Sequence, residues 1–234
     1  FSLQSADAMS VLQQERKGTL FVDVQRRLNI YLRAMWGRDF FLRPTAGDYE
    51  VREGLKPYIE RFVIYIADAY DDYRPHGDET PEEMIVPGVE IYRAAANHCA
   101  AHLAFTKEPL SMQMLNTTQM AIIETIEDAR VEELACRQFP NMRASWLALH
   151  PPADYSEPES VGDLLNRLAR ALLAPESDDP HPWVQEGMAL FRAEEDLSTN
   201  QASWNIGVEL AHKLGEIPLP EYSSRTDTLR AIYR

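Results

Sequence analysis

The chain has 234 residues, 45% of them hydrophobic, with 37 acidic against 23 basic side chains and a formal net charge of −14. That length and apolar content suffice for a packed core. The charge opposes tight binding to nucleic acid or anionic lipid, and no apolar run approaches the ~20 residues that span a bilayer. Two cysteines, Cys99 and Cys136, make no disulfide framework and no paired-cysteine zinc motif, so a reducing, cytoplasmic setting is expected. The chain starts at Phe1 with no basic start leading into an apolar segment, which suggests a piece of a longer protein without a signal peptide.

Residues 5 to 35 carry Leu12, Leu20, Val24, Leu28 and Leu32 at near-helical spacing, with Gly18 as a break, and predict one long or two consecutive helices. The stretch 36 to 50 mixes aromatics with Gly, Pro and Asp and suits extended chain; Trp36, Phe40 and Phe41 are expected in the core rather than as an exposed anchor. FVIYIAD, 62 to 68, is apolar on both alternate faces and predicts a buried strand. Thr80, Pro81 and Glu83 predict a short capped helix that ends at Pro87 and Gly88. Helices are then expected over about 89–105 and 117–139, and later over 161–174, 182–196 and 200–214. Ser160 and Asp163 supply a capping pair for the first of those three. The Pro- and acid-rich stretch 150–160 reads as a linker between a first domain, 1–149, and a C-terminal helical subdomain, 161–234, packed on it. The fold class is therefore mainly α with a small β element.

Two helices carry the chemistry. Ile91, Ala95, His98, His102 and Phe105 share one stripe of the 89–105 helix, so both imidazoles point inward. Thr117, Ala121, Glu124, Asp128, Val131 and Ala135 form the matching stripe of the next helix and place two carboxylates on it. Histidines at i and i+4 converge on one point above a helix, as a zinc ion requires of its ligands. The same residues also suit a polar core network of buried imidazoles and carboxylates. Arg130 and Arg137 sit three and four residues after Glu127 and Glu133, so Glu127, Glu132 and Glu133 are expected in helix-surface pairs.

The pattern H-x-x-x-H followed by E-x-x-x-D, behind a strand, resembles the helical core of the gluzincin metallopeptidases. That resemblance implies His98, His102 and Glu124 as zinc ligands, with Asp128 behind them. It also implies a departure: those enzymes hold a glutamate directly after the first histidine as general base, and this chain holds Cys99. A degenerate, non-peptidase version of that core is the expectation, with Asp128, Glu127 and Arg130 as its supporting polar network.

Three segments, MWGRDFFLRPTAGDYEVREGLKPYIE, IYRAAANHCAAHLAF and IIETIEDARVEELACRQFPNM, resemble a second family. It joins an α-rich N-terminal part to a C-terminal von Willebrand factor A domain and works with MoxR-type AAA+ ATPases. The likeness is to its CbbO-type members, adaptors of the CbbQO-type Rubisco activase; the NorD-type nitric oxide reductase activation proteins share mainly the second and third segments. The resemblance implies a non-catalytic adaptor, with a MoxR-type ATPase hexamer and Rubisco as partners and neither nucleic acid nor membrane. It implies Mg only in the von Willebrand domain, whose D-x-S-x-S motif this chain lacks, and the chain has no Walker A sequence either.

Overall fold

The computed structural model describes residues 18–45, 56–108, 115–174, 176–223, 227 and 231–234, and the expectations for residues 5–17 and 46–50 lie outside these. The chain forms two compact units, one reaching from Phe1 to Asn97 with Tyr233, the other from His98 to Ile232 with Arg234. The division falls inside a helix, and the stretch 150–160, expected as a linker, lies within the second unit.

In the first unit β1 (Thr19–Leu20) leads into α1 (Phe21–Trp36), which buries Phe21, Val24, Leu28 and Leu32, the predicted stripe from Val24 onward. Its end is set by Gly37 at φ 67°, whose N–H reaches back to the Arg33 carbonyl. β2 (Phe41–Pro44), β3 (Tyr58–Glu60) and β4 (Val63–Ile66) form a sheet in the order β2-β4-β3, with β2 parallel and β3 antiparallel to β4. β4 is the predicted strand: Ile64 and Ile66 are fully buried. β5 (Ala69–Tyr70) pairs with β1. The β3–β4 turn is made by Arg61 and Phe62, both at positive φ, which matches the right-handed twist of the paired strands. Trp36 is half-buried and donates from Nε1 to Asn97 Oδ1 at 3.0 Å, whereas Phe41 is 70% exposed, contrary to the core position expected of it. β2 is two-faced: Leu42 turns inward and Phe41, its neighbour in a period-2 strand, must turn out.

The helix expected at Thr80 is only a 3-10 turn, Glu82–Met84, preceded by another at Gly77–Glu79. Thr80 Oγ1 accepts from the His76 N–H instead of capping a helix, and Pro87 leaves no room for a second turn.

α2 (Gly88–Phe105) and α3 (Thr117–Gln138) follow as predicted; α3 starts with a capping box in which Asn116 and Gln119 bond each other's backbone N–H. Pro140 interrupts the run, and a further helix not anticipated from sequence, α4 (Asn141–Leu147), buries Met142 and Trp146. In the second unit α3 then packs against α5 (Val161–Leu173) and α7 (Gln201–Leu214), with α6 (Pro182–Ala193) between those two. The predicted Ser160 and Asp163 box caps α5. Ile122, Ile126, Leu164, Leu168, Val184 and Leu210 fill the core of this bundle. Gly207 lets α7 approach closely, since a Cβ there would meet Ile123 Cγ1 at 2.5 Å. Among the described residues no helix is long and apolar enough to cross a membrane.

Candidate metal centre

His98 and His102 lie one turn apart on α2, with ring centroids 4.8 Å apart and planes crossing at 78°. Both Nε2 atoms face the same oxygen of Asp128 on α3: Oδ1 lies 3.1 Å from His102 Nε2 and 3.6 Å from His98 Nε2. One ligand atom from each of His98, His102 and Asp128 falls within 4.8 Å of the others. His98 is buried, while the side chains of His102 and Asp128 keep 21% and 17% of their exposure, so the group lies at a covered edge of the unit.

Each imidazole is held from behind. His98 Nδ1 lies 3.1 Å from Glu132 Oε1, and Glu132 is gripped by Arg234, whose Nε donates to the same Oε1 at 2.9 Å and whose Nη2 donates to Oε2. His102 Nδ1 lies 3.2 Å from Thr106 Oγ1, and Thr106 donates its hydroxyl to Glu127 Oε1 at 2.6 Å. Glu127 in turn takes both Nε and Nη2 of Arg130 at 2.7 Å and the Ser203 hydroxyl at 2.7 Å. Arg130, fully buried, also donates to the carbonyls of Leu197 and Phe105. This clamp ties the end of α2, the body of α3 and the approach to α7 together through charge-assisted bonds.

The charges explain the titration behaviour. Burial works against a charged His98, but Asp128 first and then Glu132 outweigh it and raise the imidazole to about 9. Burial likewise opposes an ionised Glu132, yet Arg234 and His98 hold it down at about 2. Asp128 is held well below the carboxylate range against its burial, chiefly by His98 and His102. Nearby His150 goes the other way: burial, then Arg234, lowers it to about 3, so it stays neutral. Cys99, in the position of a metallopeptidase base, is 3% exposed and pushed up to about 12 by burial and by Asp128. A neutral buried thiol cannot take a proton from a metal-bound water.

Of the residues singled out from sequence, His98 and His102 come together with Asp128, whereas Glu124 is exposed and outside the group. The helix register gives the reason. His98 meets Glu132 and His102 meets Asp128, so the two helices run antiparallel here. Glu124 falls one turn beyond His102, past the end of α2 at Phe105. The carboxylate expected behind the ligands therefore sits in front, and Glu132 takes the place behind. Glu127 and Glu132 are buried rather than on the surface as expected, because each carries its own buried arginine. Glu133 does make the expected pair with Arg137, at 3.0 Å, and adds Arg143 at 2.6 Å.

Comparison with protein family models, with curated proteins and with solved structures finds no match.

Proposed function

We propose that this chain is a non-catalytic adaptor or scaffold part of a Rubisco activase driven by a MoxR-type AAA+ ATPase. In that role it links the motor to inhibited Rubisco so that ATP hydrolysis by the motor releases tight-binding sugar phosphates. The observation that carries the non-catalytic reading is Cys99: buried and held as a thiol, it occupies the one position from which a metallopeptidase of this pattern would draw its base. Glu127 and Glu132 do not substitute for it, since Arg130 and Arg234 hold them as ionised members of internal pairs. The three resembling segments supply the motor and the client, and the net charge of −14 favours protein partners over nucleic acid or membrane. A cytoplasmic location belongs to the same proposal.

The second and third segments are shared with the NorD-type proteins, which favours a second reading with nitric oxide reductase as client. Neighbouring genes for Rubisco or for the reductase separate the two. The first reading is tested by reconstitution: motor, full-length adaptor and sugar-phosphate-inhibited Rubisco recover carboxylation with ATP, and an adaptor lacking this region does not. Full recovery without this region would refute the reading.

A further inference from the structure

We propose that His98, His102 and Asp128 bind one divalent first-row cation of the zinc type, with Asp128 rather than Glu124 as the carboxylate ligand. The inference stands whichever client the adaptor reading proves to have.

Its basis is geometric. His98 and His102 lie one turn apart on α2 and both turn Nε2 toward Asp128 Oδ1, at 3.6 and 3.1 Å, so two nitrogens and one carboxylate oxygen converge on one volume. In the metal-free chain imidazole protons bridge to Asp128, and a divalent cation that displaces them satisfies all three groups at once.

The dimensions agree. Around a tetrahedral ion with ligands at 2.0 to 2.2 Å, ligand atoms stand roughly 3.3 to 3.5 Å apart. The two edges to Asp128, 3.1 and 3.6 Å, flank that value. The remaining edge is at most 4.8 Å and closes with a movement of at most about 1.5 Å. Each histidine also has an oxygen behind its Nδ1, where metal-ligating imidazoles carry their outer partner: Glu132, gripped by Arg234, at 3.1 Å for His98, and Thr106, tied to Glu127 and Arg130, at 3.2 Å for His102. Two imidazoles and one carboxylate suit zinc or cobalt, not magnesium or calcium. Cys99 contributes no base, so the ion would fasten α2 to α3.

The test is titration of chelator-treated, dialysed full chain with Co²⁺ followed by Zn²⁺, read by visible d–d absorption and calorimetry. One equivalent of Co²⁺ is expected to produce d–d bands that Zn²⁺ removes. His102→Ala and the near-isosteric Asp128→Asn should abolish them, Thr106→Val should weaken binding roughly 10- to 100-fold, and Glu124→Gln should leave it unchanged, with far-UV circular dichroism confirming the fold of each. No binding by the wild-type chain overturns the proposal. So do bands that persist in folded Asp128→Asn, and bands lost in folded Glu124→Gln, which would make Glu124 a ligand.

Discussion

Glu132→Gln removes one charge and almost no volume, and it isolates what the buried network contributes to stability. Glu132 and Arg234 are each about 1% exposed, and Glu132 also faces His98. Depression of the carboxyl from 4.5 to about 2 corresponds to roughly 3 kcal/mol of stability at neutral pH, by the linkage between pKa shift and folding. Breaking a buried pair by removing one partner independently gives about 3 to 5 kcal/mol, because the arginine is left uncompensated. For a chain of this size that is a fall in Tm of about 6 to 20 °C. The sign follows from the direction of the shift. A depressed carboxyl stabilises above its unfolded pKa and loses that contribution as pH falls through the folded value. The difference between wild type and variant, read from urea midpoints of the metal-free proteins, should be full at pH 7 and drop below about half by pH 3. A difference under about 1 kcal/mol at pH 7, or one that does not change with pH, would refute the reasoning.

His150 should shape the acid limb of stability. Its folded pKa of about 3 lies below the ordinary 6.5, so the unfolded chain takes up a proton that the folded chain refuses, and stability falls as pH drops from about 6.5 towards 3. The loss by pH 4.5 is at most about 2 to 3 kcal/mol, and urea midpoints of His150→Asn should show a shallower slope than wild type over that interval. In the first unit, the β3–β4 turn holds Arg61 and Phe62 at φ 47° and 67°, a conformation that favours Asn and Gly. Replacing the pair by Asn-Gly should raise stability by about 1 kcal/mol in calorimetry, and a loss would mean that the Phe62 ring contributes more than its 78% exposure suggests.

What could be read from the sequence was local. The α5 cap, with Ser160 and Asp163 three residues apart, lies within one helical turn, and so does the His98 and His102 pair. The β-branched and aromatic run of β4, apolar on both alternate faces, is likewise confined to a few adjacent residues. The choice between Asp128 and Glu124 was different, because both lie on the same stripe of α3. Only the offset between two antiparallel helices, set by the connection after Phe105, decides which carboxylate meets the histidines. Arg234 had no signal at all: it reaches Glu132 across 102 positions of sequence, and no periodicity in either segment points to the other. The surface reading of Glu127 and Glu132 failed for the same reason, since acidic residues on a helix look solvent-facing until their buried arginines are placed. Ser203 and Thr106, which complete the clamp on Glu127, are ordinary polar residues near helix ends until the fold brings them to one carboxylate.

The proposed adaptor role is tested most directly by binding between this chain and a purified MoxR-type AAA+ ATPase hexamer, followed by sedimentation velocity with and without ATP. Co-sedimentation with the hexamer, with no peptidase or ATPase activity from the chain alone, is the expected result. Clean separation of the two in both nucleotide conditions would contradict a motor-engaging role for this chain.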